Sequence, residues 1–144
     1  LPTPRYLWLH LARELGRARR ARSDVGVIAL TVGGLDAQAA QAARAVTARL
    51  RGYDLCVPDR PGSLVVVLSD AGYRETTRKA AEMVEAIEAL RREPGGSVGQ
   101  GEPVTAGIAI FPHDADSAEA LISVARERTG GPPPDRATLP FNRV

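Results

Sequence analysis

The sequence predicts an α+β domain, a central and mostly antiparallel sheet flanked by helices, and three observations predict it. Apolar residues recur at helical spacing in four stretches and gather into short, largely β-branched runs in four others. The two kinds interleave in the order α-β-α-β-β-α-β-α, whose middle is the split βαβ pattern β-α-β-β-α-β. The two consecutive strands are joined by Asp59-Arg60-Pro61-Gly62, a turn that makes them a hairpin.

Thr3 before Pro4 reads as a hydroxyl N-cap followed by proline at the first helical position, and Trp8, Leu11 and Leu15 continue the helix to about Ala21. "VGVIALTV" (25–32) is a continuous apolar run suited to a central strand, and Gly33-Gly34 breaks it. Asp36 can cap a second helix with Ala39, Ala43, Val46 and Leu50 on one face, ending near Arg51 with Gly52 as its left-handed terminator. Residues 55–57 and 64–68 form the hairpin strands.

A third helix spans about 73–91, with Ala80, Met83, Val84, Ile87 and Leu90 inward and Arg74, Glu75, Arg78 and Glu82 toward water. Residues 93–103, "EPGGSVGQGEP", read as a loop, 104–111 as a strand, and 116–128 as a helix capped by Ser117. The Pro-rich end has no periodicity and is expected to be extended. The expected organisation is an opening helix over 1–24, a folded domain over 25–130 and a tail over 131–144.

Composition bounds the function. A chain of 144 residues suits a single core, and no apolar run approaches the ~20 residues of a membrane helix. No signal peptide is visible, and the chain opens on Leu1, so a cytoplasmic segment of a longer protein is expected. The single Cys56 excludes an internal disulfide and a cysteine-based zinc cage; on a short strand it reads as core. His10 and His113 read as exposed or half-buried polar positions, and Thr105 as strand surface. Arginine supplies nearly all the cations, Lys79 being the only lysine. The Arg17-to-Arg22 run lacks interleaved aromatics and reads as a solvated helix end rather than a nucleic-acid arm.

Taken together, "LPTPRYLWLHLARELGRARR", "VIALTV", "GSLVVVLSDA" and "VTAGIAIFPHDADSAEALISVARER" resemble the successive segments of a GGDEF domain, the bacterial module that makes cyclic di-GMP. The resemblance covers about residues 1–128 and implies a nucleotidyl-cyclase-like fold with a ferredoxin-like βαββαβ core. It also exposes three departures. Arg60-Pro61-Gly62-Ser63-Leu64 stands in place of the signature G-G-D-E-F, and Ser63 is a poor anchor for Mg²⁺. The first-strand metal carboxylate falls at Thr31. The guanine-gripping region after that strand is shorter by roughly two helical turns. Phosphoryl transfer depends on positioning and charge neutralisation, so a chain lacking all three parts is expected not to be a cyclase.

The resemblance implies that one ligand site is kept. The family's product-inhibition motif, R-x-x-D, has its arginine nine residues before the signature, which here is Arg51 in Arg51-Gly52-Tyr53-Asp54. Arg51 would donate to guanine O6/N7 or to phosphate, and Asp54 would accept from guanine N1–H and N2–H. A basic residue on the following helix that contacts a second stacked ligand falls at Arg78, with Arg74 one turn earlier; Glu82 stands where another arginine is common. Tyr53 reads as packing.

The expected function is an inactive GGDEF domain serving as a cyclic di-GMP receptor, with no cofactor and with a neighbouring domain or protein as its target. The alternative is a dimerisation or docking module without a nucleotide, in which Arg51 offsets the helix dipole and pairs with Asp54 as a surface ion pair. A GTP-binding regulator and a residual cyclase are both disfavoured by the missing GTP site. Neither nucleic acid nor membrane insertion is expected, and a homodimer fits either reading.

Overall fold

The computed structural model describes residues 4–33, 36–92 and 103–129. Its elements are α1 (Pro4–Ala21), β1 (Val25–Thr31), α2 (Asp36–Thr47), β2 (Leu55–Pro58), β3 (Ser63–Ser69), α3 (Tyr73–Arg92), β4 (Thr105–Phe111) and α4 (Ala118–Arg128). The four strands form one antiparallel sheet in the order β2-β3-β1-β4. This is the expected α+β architecture. The proposed cap at Thr3 and the segments 93–102 and 130–144 lie outside the described residues.

Strand alternation divides the core in two. Ile28, Leu30, Val66, Leu68, Ala106 and Ile108 meet α2 and α3 on one face. Val25, Val27, Val65, Val67, Ala109 and Phe111 meet α1 and α4 on the other. Because β1 is central and both faces are covered, all of Val25–Leu30 is buried, which explains its unbroken apolar run. The opening helix is thus one of the layers. Its buried stripe is Leu7, Leu11, Leu15 and Ala18, whereas Trp8, expected inward, stands at the edge of exposure because the 7-11-15-18 register already fills the seam. Ser117 caps α4 as expected, its hydroxyl accepting from the Ala120 amide at 3.2 Å.

The end of α2 departs from expectation. The helix stops at Thr47 and unwinds through two tight turns, Arg49 N–H to Val46 O and Leu50 N–H to Thr47 O. Gly52 is not among the left-handed glycines, so it does not terminate the helix. Instead the chain turns on itself between Arg51 O and the Asp54 amide, while the Asp54 carboxylate takes the Arg51 amide. An aspartate that bonds nearby backbone competes directly with helix continuation.

A glycine on β4 permits close layer packing. A Cβ on Gly107 would lie 2.1 Å from Ala125 O and 2.7 Å from the Thr129 amide, both backbone atoms of the α4 segment. Gly107→Ala should therefore cost about 3 kcal/mol in urea denaturation, through displacement of α4. Gly52→Ala, which meets nothing within 4 Å, should stay within about 0.5 kcal/mol of the parent.

Candidate functional site

The turn after α2 and the end of β3 build one corner. Arg51 and Asp54 meet side by side: Nε donates to Oδ2 at 2.9 Å and Nη2 to Oδ1 at 3.2 Å. The Asp54 carboxylate also receives the amides of Arg51 (3.1 Å) and Ser69 (3.1 Å), so each of its oxygens accepts twice. Nη2 of Arg51 donates in addition to Ser69 O at 2.6 Å. The side chain of Asp54 is 0% exposed and that of Arg51 39%. The bond to Asp54 holds the guanidinium above its ordinary pKa, against the opposing effect of burial.

Asp54 is thus fully engaged within the protein, and its expected role as a direct acceptor for guanine is not available in this arrangement. Of Arg51's five N–H groups, the two on Nη1 have no partner among the described residues. The guanidinium lies over the Tyr53 ring, 4.7 Å from its centroid, and Tyr53 is 52% exposed rather than packed.

Beneath this corner runs a network that sequence spacing did not reveal. The Ser69 hydroxyl donates to Glu14 on α1, and Glu14 also accepts from Arg17 at 2.9 Å. Arg17 reaches Asp70, 3.7 Å away. Burial works to raise the Glu14 pKa, but the hydrogen bonds from Arg17 and Ser69 outweigh it and hold it below the ordinary value. His10, one turn before Glu14, stacks on Tyr6 and has a buried Nε2 without a hydrogen-bond partner among the described residues. Burial pushes its pKa down, with Arg13 acting the same way and Glu14 and Asp54 opposing. These residues read as ordinary amphipathic helix positions, and only the tertiary fold joins them to Ser69.

On α3, Arg78 is exposed and clasped by two carboxylates, Glu75 (2.7 and 2.8 Å) and Glu82 (2.7 Å). Glu75 lies within electrostatic reach of Arg51. Glu82 therefore engages the helix cation rather than extending a cationic row. Arg74 is exposed and has no partner among the described residues. Lys79 ties α3 to Arg49 O at 3.0 Å and so fixes the α2 end against α3.

The hairpin tip forms a second polar place. Thr31 sits opposite Ser63 on one side and Thr105 on the other, a row of three hydroxyls at the edge of the sheet. Gly62, at φ +78, turns its carbonyl onto the amides of Val32 (2.7 Å) and Gly33 (3.1 Å), drawing the tip onto the end of β1. Arg126 of α4 then grips the nearly buried Asp59 with Nε at 2.9 Å and Nη2 at 2.5 Å. A polar recess of about 190 Å³ remains between them. The Asp59–Arg126 pair joins residues 67 positions apart, and no local pattern signals it. Among the described residues no group of three or more His, Cys, Asp or Glu side chains is placed to hold a metal ion. Cys56 is buried, and burial pushes its thiol up to about 12. No helix of the described residues is long and apolar enough to cross a membrane.

His10 gives the corner a pH dependence whose sign follows from its depressed pKa. The unfolded chain takes up a proton at about the ordinary value of 6.5, before the folded chain does, so stability is complete above that value and falls as the pH drops toward the folded pKa. Urea midpoints should decrease from about pH 7.5 to about pH 5.5, and His10→Gln should flatten the decrease.

No protein-family profile matches the sequence, and no curated protein matches it. Solved structures do. The GGDEF domain of YfiN (TpbB) from Pseudomonas aeruginosa superposes with a TM-score of 0.72 at 21% identity, covering 90% of this chain and 83% of that one. A sensory box/GGDEF family protein from Caulobacter crescentus gives 0.74 at 18% identity, with 90% and 91% covered. The active GGEEF domain of a diguanylate cyclase from Vibrio cholerae gives 0.75 at 13%, with 90% and 89% covered. At such identities the likeness is one of architecture: the chain has the fold of the GGDEF domains.

Proposed function

We propose that the chain is a catalytically inactive GGDEF-type module that binds cyclic di-GMP through Arg51 and passes the binding event to a neighbouring domain or protein. The observation that carries this reading is the clamped guanidinium. Asp54 and Ser69 O hold Arg51 along its Nε–Nη2 edge, leaving Nη1 without a partner among the described residues and the guanidinium over an exposed tyrosine ring. Two N–H groups on one nitrogen suit a phosphate oxygen or guanine O6, and the Tyr53 ring offers a face for a purine. In this reading Asp54 is a positioning residue, while Arg78 and Arg74 approach the ligand from α3. Arg78 would have to exchange at least one of its carboxylate partners for ligand.

Inactivity is supported by the hairpin region. The row Ser63-Thr31-Thr105 offers hydroxyls where metal-dependent phosphoryl transfer needs carboxylates. The Asp59–Arg126 pair lines the same recess as Thr31 and Ser63 and is satisfied within it. A second reading, a docking or dimerisation module without ligand, is favoured by one observation: Tyr6, Trp8 and Leu9 present apolar surface at the start of α1.

Calorimetry separates them. Cyclic di-GMP should bind the folded chain at micromolar or tighter affinity. Arg51→Ala should abolish binding, Asp54→Ala should weaken it by releasing the guanidinium, and Arg78→Ala should reduce it less. The same preparation incubated with GTP and Mg²⁺ should form no cyclic di-GMP. Absence of heat with folded protein, together with a sedimentation coefficient showing a dimer, would favour the docking reading.

A further inference from the structure

A cavity of about 390 Å³ lies at the opposite side of α1's end, between the α1–β1 turn and the β4–α4 loop. Pro112 is its exposed apolar wall, and the buried Ala18 and Phe111 lie beneath. Arg19 covers Phe111, with its guanidinium carbon 5.3 Å from the ring centroid, and donates to Asp116 O at 2.5 Å, which holds the loop against the helix. The volume falls in the range of small-molecule sites, which are mostly apolar with a few placed polar groups.

Two features of the rim are costly unless they serve something. Ser23 N–H closes onto Ala18 O at 3.0 Å, the bond that ends a helix through a left-handed residue. That residue is Arg22, at φ +56, where glycine is the ordinary occupant. Its exposed side chain has no partner among the described residues, although it lines the cavity. Beside it, the Ser23 hydroxyl is buried and makes no hydrogen bond among the described residues. A strained cation and an unsatisfied hydroxyl thus share one edge of the cavity.

We infer that this cavity is a ligand site for a small, flat, apolar molecule carrying one anionic group, its body against the exposed Pro112 and the stem of Arg19 and its anion between Arg22 and the Ser23 hydroxyl. The rest of the rim limits the charge to one. Asp24, 3.6 Å from His113, and Asp116 offset the two arginines and disfavour a polyanion. This separates the site from the Arg51 corner, where a doubly phosphorylated ligand is expected.

The test uses 2-naphthoate as probe, with 2-naphthol as its uncharged analogue and inorganic phosphate as an anion without the ring. Amide resonances of the 144-residue chain are followed by NMR. Naphthoate should shift Arg22, Ser23, Phe111 and His113 saturably, with a midpoint below about 1 mM. Naphthol and phosphate should each be weaker by about tenfold or more. Arg22→Gly keeps the left-handed turn and should weaken naphthoate by a similar factor, while Arg51→Ala should leave it unchanged. The inference is overturned by the absence of saturation at about 10 mM. Equal responses to naphthol or phosphate, no loss in Arg22→Gly, or shifts centred on Arg51 would overturn it as well.

Discussion

A single buried carboxylate organises the corner on which the functional reading rests. Charge is expensive to bury unless every lone pair is met, and Asp54 meets four donors: two from the Arg51 guanidinium and the amides of Arg51 and Ser69. Satisfying it ends α2 early, turns the chain at residues 51–54 and fastens that turn to the last residue of β3. The same requirement fixes where Arg51 can point. A guanidinium bound along its Nε–Nη2 edge has only its Nη1 end left to offer, on a side chain that is 39% exposed. Binding chemistry at this corner, if taken as the function, is a by-product of how the fold pays its desolvation cost.

The hairpin tip is organised differently. There the close approach of Gly62 to Gly33 brings the turn onto β1, and Arg126 neutralises Asp59 in a two-pronged pair that closes the other side. The charged pair at the tip is thus satisfied within the protein. One polar centre pairs its buried carboxylate with an arginine along two nitrogens, while the other leaves one guanidinium nitrogen without a partner among the described residues. That contrast underlies the proposal of a binding rather than a catalytic role.

The alternation of helical and strand periods is sufficient to read the element order, because β1 buried on both faces leaves an unbroken apolar run and α3 leaves a clean stripe through Ala80, Met83 and Ile87. Ser117 was legible for the same reason: a cap acts within one turn. Trp8 was misplaced because a stripe of period 3.6 can be drawn through either 8-11-15 or 7-11-15, and only packing against β1 and α4 chooses. The R-x-x-D motif was visible as spacing, but the burial of Asp54 depends on Ser69, fifteen residues away across the sheet. The exposure of Tyr53, the Glu14–Ser69 link and the Asp59–Arg126 pair are likewise products of tertiary contact, for which the local sequence carries no signal.

The most direct measurement concerns the Arg51 Nε–H itself, observed by nitrogen-edited NMR of the arginine side chains. A guanidinium clamped by Asp54 and Ser69 O gives one Nε–H resonance that exchanges slowly with water, vanishes in Arg51→Lys and moves when cyclic di-GMP is added. A resonance for Arg51 that exchanges as fast as those of the exposed arginines, or one that stays fixed at saturating nucleotide in a folded protein, would contradict the account.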